Sequence, residues 1–77
     1  MDLNVFISNF AEQFDDTDLN MFKAETKFRD LEEWSSMITL SLIAMADEEY
    51  NVRLNGEDIK QSETIEDLYN IIKMKQG

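Results

Sequence analysis

Residues 36–50 read SMITLSLIAMADEEY, a long run with helix-like spacing of apolar residues and no glycine or proline. Apolar residues recur there at steps of three and four, which places them on one face of a helix. They are Met37, Leu40, Ile43, Ala44 and Met45, with Ile38 and Leu42 widening the stripe. The run predicts a central helix about 22 Å long, from a rise of about 1.5 Å per residue.

A second helix is predicted over residues 3–14, ahead of this run. Its apolar positions are Leu3, Phe6, Ile7, Phe10 and Phe14, and the polar sequence DDTD at 15–18 ends it. Residues 15–35 follow with no regular pattern, a connection longer than compact domains normally use. We expect it to fold back onto the core through its apolar residues, which are Leu19, Met21, Phe22, Phe28 and Leu31.

The sequence after residue 50 predicts one more principal helix. Val52 and Leu54 alternate too briefly to distinguish a strand from an extended loop, and residues 57–61 are expected to form a short helical turn. Thr64 and Asp67 have capping-box spacing. The helix that follows has Ile65, Leu68, Tyr69, Ile71 and Ile72 on its buried face and ends in Lys73 and Lys75. The chain is therefore predicted to be all-α: three principal helices plus a short one, with a long loop between the first two.

Length and charge limit the classes of function. Seventy-seven residues suffice for a single domain, 1–77, and 17 acidic against seven basic residues give a net charge of −10. Such a surface repels nucleic acid and anionic lipid and disfavours self-association, so we expect a monomer with no nucleic-acid partner and no membrane insertion. The absence of cysteine and of a secretory signal leads us to expect a cytoplasmic protein.

Two kinds of chemistry find little support in the residues. The chain has no histidine to act as a general base and no glycine-rich loop for a nucleotide, so we expect no intrinsic catalysis. Asp16, Asp18 and Asn20 resemble the start of a calcium loop. Met21 and Lys27, however, stand where the turn glycine and the bidentate glutamate belong, so we expect no specific metal site.

Ser36 is the candidate for covalent modification. It lies at the start of the central helix, where free backbone N–H groups and the helix dipole favour an attached phosphate. Serines at such positions more often serve as helix caps, but neither Ser35 nor Ser36 forms a capping box, because Ile38 and Thr39 occupy the third positions. Trp34, beside it, is equally consistent with closing the loop over the core and with contacting a partner.

Short motifs along the chain share their order and spacing with a known family. They are Phe28-x-x-Leu31, Ser36-Met37, Asp47-Glu48-Glu49-Tyr50, Val52-x-Leu54 and Thr64-Ile65-x-Asp67. With the long first loop and the short helix, they resemble an acyl carrier protein over essentially the whole chain. The resemblance implies an acyl-carrier-like bundle.

In that family the serine of an Asp-Ser-Leu or Asp-Ser-Met motif receives 4'-phosphopantetheine from coenzyme A, and the thiol of this arm carries an acyl group as a thioester. The resemblance therefore implies that Ser36 is the attachment residue. It implies fatty-acid or specialised lipid or polyketide-type biosynthesis, with a phosphopantetheinyl transferase and acyl-loading and acyl-consuming enzymes as partners. The implied docking residues are Trp34, Met37, Ile38, Ser41, Asp47 and Glu48, and the implied acyl pocket is lined by Ile43, Ala46 and Ile59.

The chain departs from the family where partners dock. Ser35 replaces the motif aspartate, and Ile38 and Ser41 stand where the family often has acids. We therefore expect a dedicated carrier whose partners present a basic or partly apolar docking patch. Two alternatives remain: a carrier of aminoacyl or peptidyl groups, and an interaction module of the same fold that is never modified.

Overall fold

The computed structural model describes residues 2–77, and helices dominate this part of the chain. The helices are α1 (Leu3–Ala11), α2 (Ser36–Tyr50), α3 (Gly56–Gln61) and α4 (Ile65–Gln76). Two 3-10 turns, Leu19–Met21 and Phe28–Asp30, lie in the long connection between α1 and α2. Within residues 2–77 the β-type pairing is limited to an isolated bridge between Lys27 and Thr64. The predicted all-α bundle with a long first loop is confirmed.

Helix α1 ends earlier than its apolar pattern predicts. Gln13 N–H donates to Phe10 O at 3.1 Å and Phe14 N–H to Ala11 O at 3.0 Å, so the chain tightens after Ala11 into turns with three-residue hydrogen bonds. Asp15 N–H then donates to a Glu33 carboxylate oxygen at 2.6 Å, which turns the chain away from the helix axis. Phe14 stays buried, so the predicted apolar face is right while the predicted end at residue 14 is wrong.

A cluster of aromatic rings forms the centre of the core. The Phe10 ring centroid lies 5.3 Å from that of Phe28, 5.6 Å from that of Phe14 and 6.2 Å from that of Phe22. Since Phe10 belongs to α1 and both Phe22 and Phe28 to the long connection, this cluster fastens the connection to the bundle. The order expected of the connection is thus provided by two of its side chains.

Not every apolar side chain of the connection turns inward. Leu19 and Met21 are 73% and 53% exposed, so the prediction that they pack on the core is wrong. They belong to a 3-10 turn whose first N–H groups are capped by Asp18, which accepts from Asn20 N–H at 2.9 Å. A single turn presents one side to the core, and the next residue, Phe22, occupies that side.

The connection is also bonded to the start of α4. Ile65 N–H donates to Thr26 O at 3.1 Å, and Glu66 N–H donates to Ala24 O at 3.0 Å. These bonds use two N–H groups that a helix start leaves without a partner in its own ladder. Thr64 and Asp67 form the predicted capping box alongside them.

Helix α2 has the predicted bounds, but only one side of the predicted apolar stripe is buried. The core side chains are Ile38, Leu42, Met45 and Ala46, whereas Met37 and Leu40 are 77% and 66% exposed. Apolar residues occur on both sides of this helix, so two stripes with helical spacing compete. The sequence pattern favoured the stripe that begins at Met37, and the packing against α1 and α4 selects the one that begins at Ile38.

The segment between α2 and α4 is a loop followed by the predicted short helix. Asn51 has a left-handed backbone (φ 55°), and its N–H reaches back to the Ala46 and Asp47 carbonyls, which ends α2. Val52 and Leu54 are buried within this extended loop, which resolves the choice between strand and loop left open by the sequence. Helix α3 begins one residue earlier than predicted, at Gly56, with Asn55 and Asp58 as its capping box.

Among residues 2–77 no helix is both long enough and apolar enough to cross a membrane. Lys75 at the end of α4 makes an ion pair with Asp58 of α3 at 3.2 Å, which links these two consecutive helices. This partly exposed pair contributes little to stability by itself.

Replacing Phe28 by alanine should remove a large part of the protein's stability. Truncating a fully buried phenylalanine costs about 3–5 kcal/mol, which approaches the low end of the roughly 5–15 kcal/mol available to a small domain. The matched control is Leu19→Ala in the same connection, where the side chain is exposed and the cost should stay within about 0.5 kcal/mol. Urea denaturation followed by circular dichroism measures both, and equal losses would contradict the assignment of Phe28 as the anchor.

Candidate functional site

The two serines at the start of α2 have separate roles. Ser35 is the N-cap: its backbone is extended, and its Oγ accepts from Ile38 N–H at 3.3 Å. Ser36 is the first helical residue, it is exposed, and its hydroxyl makes no hydrogen bond with any residue from 2 to 77. Capping is thus performed by Ser35, which leaves the Ser36 hydroxyl accessible.

The backbone around Ser36 favours a bound anion. Within the described residues, the N–H groups of Ser36 and Met37 have no acceptor, whereas those of Ile38 and Thr39 are taken by the side chain and carbonyl of Ser35. The first turn of α2 contains no acidic residue. Free N–H groups and the positive end of the helix dipole together stabilise a phosphate at this position. The start of α2 therefore has the backbone groups that would stabilise an anion attached to Ser36.

Trp34 holds the segment that leads into this site. Its ring centroid lies 5.2 Å from that of the buried Phe28, and its backbone N–H donates to Leu31 O at 3.0 Å. The side chain is half-buried and packs against the core cluster. Trp34 therefore closes the loop over the core, which is one of the two roles predicted for it. The part of its ring that stays exposed could still contact a partner, which is the other role.

Glu33 clamps the same segment to the far end of the connection. Its carboxylate accepts from Asp15 N–H at 2.6 Å, from Asp16 N–H at 3.0 Å and from the Thr17 hydroxyl at 2.7 Å. The hydrogen bond from the Thr17 side chain, followed by that from Asp15, holds the pKa of Glu33 below its ordinary value of 4.5. The ionised Glu33 therefore fixes the position of the chain three residues before Ser36.

The implied docking residues fall into different environments. Met37, Asp47 and Glu48 are exposed, and Ser41 is half-buried. Ile38 is only 8% exposed and packs in the core, so the prediction that it offers surface to a partner is wrong. Leu40 takes its place: sequence reasoning assigned it to the core, although its spacing of three residues from Met37 places both on one helix face.

The implied acyl-pocket residues do not share one cavity. Ile43 lines an open groove of about 210 Å³ together with Ala44, Asp47, Arg53 and Leu54. Ala46 and Ile59 are 0% and 3% exposed and belong to the packed core, away from the lining of this groove. Leu54 and Arg53, which the sequence analysis did not assign to a pocket, are the groove's residues from the loop after α2.

The carboxylates that resemble a calcium loop lie on the protein surface at the start of the long connection. Asp18 uses one side-chain oxygen to cap the following 3-10 turn, and Asp16 is exposed. Across residues 2–77 no three carboxylates converge in a way that would hold a metal ion.

Glu33→Gln should make stability less dependent on pH. A carboxyl whose pKa is lowered by folding stabilises the native state above its unfolded pKa, and this contribution is lost as the pH falls through the lower native value. The wild type should therefore be more stable than the variant at pH 7, and the difference should shrink as the pH falls below 4.5. Urea midpoints of both proteins across this range measure it, and a difference independent of pH would show that the carboxylate charge is unimportant.

The chain was also compared with known protein families and with solved structures. No protein-family model matches it, and no solved structure matches it significantly. Its function therefore has to be inferred from its own residues, above all from the free Ser36 hydroxyl at the start of α2.

Proposed function

We propose that this chain is a carrier protein whose Ser36 holds a 4'-phosphopantetheine arm through a phosphodiester. The observation that carries the proposal is the exposed Ser36 hydroxyl, which has no hydrogen bond within the described chain and lies next to two unused N–H groups. When bound, the arm supplies a thiol that carries an acyl group as a thioester. The proposed setting is fatty-acid or specialised lipid or polyketide-type biosynthesis.

Loading the arm requires a partner enzyme, because the site has no base of its own. A phosphopantetheinyl transferase joins Ser36 Oγ to the phosphorus of the pantetheine phosphate in coenzyme A. The pyrophosphate bond breaks, adenosine bisphosphate leaves, and the hydroxyl proton passes to a base of the transferase. The role of this chain is to present the hydroxyl and to stabilise the new phosphodiester with the N–H groups of Ser36 and Met37.

The exposed face of α2 suggests what such partners look like. Met37 and Leu40 form an apolar pair just after Ser36, and Asp47 and Glu48 make the far end of the helix acidic. Ser35 and Ser41 carry no charge where the resembling family often has acids. A matching enzyme surface would have an apolar depression near its active site and basic residues about 15 Å further along, ten or so residues at 1.5 Å each.

In this proposal, the groove beside α2 holds the acyl group that the arm carries. Ser36 and Ile43 are seven residues apart, which puts them on one side of α2 about two turns, or roughly 10 Å, from each other. A flexible arm that starts at Ser36 can lie along this side of the helix. Ile43, Ala44 and Leu54 would contact a short apolar acyl chain.

An aminoacyl carrier is the second candidate, and one observation favours it. Asp47 lines the same groove, where its carboxylate would pair with the ammonium group of an aminoacyl thioester. Mass spectrometry of the loaded protein from its native host would distinguish an acyl from an aminoacyl thioester.

Ser36→Ala should abolish covalent loading. The wild type, incubated with coenzyme A and a broad-specificity transferase, should gain the mass of one phosphopantetheine, whereas the alanine variant should not. Ser35→Ala is the matched control, since it removes the neighbouring hydroxyl and keeps the proposed attachment atom. Intact-mass spectrometry measures the mass of the wild type and of both variants after the incubation.

Two results would contradict the carrier proposal or its site. A mass gain on the Ser36→Ala variant would place the attachment at another residue. No gain on the wild type with several transferases would leave the unmodified interaction module as the better account of this fold.

Met37→Ser should slow loading by the transferase about tenfold or more, because burying a methionine against a partner is worth about 1.5 kcal/mol or more. Met74→Ser is a closely matched control: Met74 is 78% exposed, against 77% for Met37, and lies on α4. The measurement is kcat/KM for loading. Equal effects of the two substitutions would show that the α2 face does not contact the enzyme.

A further inference from the structure

A second concave surface lies in the long connection, before Ser36 in the chain. It has a volume of about 540 Å³ and is formed by the first 3-10 turn and the residues that follow the second. We call it the loop groove; the lining residues used below are Asp16, Asp18, Met21, Asp30, Leu31 and Glu32. The proposed function makes no use of it.

The floor of the loop groove is apolar and held in place. Met21 is 53% exposed although its neighbour Phe22 is buried, and Leu31 is half-buried against the core. The Met21 carbonyl accepts from the Thr26 hydroxyl at 2.6 Å, and the Thr26 oxygen accepts in turn from Lys23 N–H at 2.8 Å. These bonds fix the turn that presents Met21, so the apolar floor exists before any partner arrives.

The rim of the loop groove is acidic and its lining includes no basic residue, although Lys27 and Arg29 line a neighbouring pocket that shares Asp30. Within residues 2–77, Asp16, Asp30 and Glu32 make no ion pair, and no lysine or arginine lines the groove. Glu33, at the same edge, is already bound by the backbone and side chain of residues 15–17. Three carboxylates thus face an apolar floor without a cation of their own.

The chemistry of the floor and the rim selects among possible occupants. A bare metal ion needs ligands that converge on one point, and no three carboxylates among the described residues do so. An arginine or lysine side chain suits the groove better, because its aliphatic stem covers apolar atoms while its charged end reaches carboxylates. An apolar residue next to that arginine or lysine in the occupant's chain would cover the exposed Met21 side chain.

We propose that the loop groove binds a partner protein through a segment in which arginine or lysine alternates with apolar residues. Glu33 precedes Ser36 by three residues, so their Cα atoms are at most about 11 Å apart. A protein that reaches the Ser36 hydroxyl therefore also comes within reach of this groove. The inference does not require Ser36 to be modified, and it adds a second contact region to the exposed face of α2.

The probe for this proposal is a capped tetrapeptide that alternates leucine and arginine, titrated into the isotope-labelled, unmodified chain. Amide chemical shifts should change most at Met21, Leu31 and Glu32. Two control peptides separate the contributions: one has glutamine in place of arginine, and the other has glycine in place of leucine. Both should bind more weakly at the groove.

Two pairs of carboxylate substitutions test whether the acidic residues of the loop groove, and not the net charge of the protein, contribute to peptide binding. Asp30→Asn combined with Glu32→Gln should weaken binding of the leucine–arginine peptide at least about threefold more than Asp47→Asn combined with Glu48→Gln. The two pairs make the same change in net charge at different places. Met21→Ser should weaken the same peptide about threefold and leave the glycine–arginine peptide unaffected.

Three outcomes would overturn the proposal. Shifts spread evenly over the acidic surface, or equal effects of the two carboxylate pairs, would mean attraction to net charge alone. Binding of the glutamine peptide as tight as that of the arginine peptide would remove the role of the rim. Calcium chloride without peptide, producing the same shifts at the same residues, would assign the groove to an inorganic cation. Because the chain is unmodified throughout, none of these results depends on whether Ser36 carries an arm.

Discussion

The packing of the Phe10 ring against Phe28 is the interaction on which the rest of the structure depends. It joins α1 to the connection of more than twenty residues that leads to α2, and so restricts the conformations open to this long segment. The contact continues outward, because Phe28 packs against Trp34 at 5.2 Å, and Trp34 lies two residues before Ser36. A continuous chain of rings therefore runs from the first helix to the start of α2 and sets where that start is presented.

Electrostatics complement this aromatic chain. The protein carries a net charge of −10, so any further negative group is repelled by most of its surface. The starts of helices are the exception, since their N–H groups point outward with partial positive charge. Acids already use this effect at the starts of α3 and α4, where Asp58 and Asp67 complete capping boxes. At the start of α2 no acid does so, which makes it the one among these three helix starts that retains capacity for an added anion.

The elements with local signals could be predicted from the sequence, and the choice of packing face could not. Thr64 and Asp67 determine the start of α4 through bonds within four residues, so their spacing alone was sufficient. The buried face of α2 depends instead on which of two apolar stripes meets α1 and α4, and that is a property of the whole bundle. The position of Ser36 at the start of α2 follows from the helix boundary. The burial of Ile38 and the exposure of Leu40 depend instead on the rotation of the helix about its axis.

The apolar residues left on the surface are informative because the fold does not need them. Met37, Leu40 and Met21 contribute little to the core, and a polar residue at each position would leave the aromatic cluster and the capping boxes intact. Exposed apolar side chains bring a risk of self-association, which the net charge of −10 counters by keeping copies of the chain apart. The same charge attracts a basic protein. A surface that combines these apolar residues with unpaired carboxylates would therefore disfavour contact with a second acidic copy of the chain. It would suit the basic, partly apolar partner proposed for the α2 face and the loop groove.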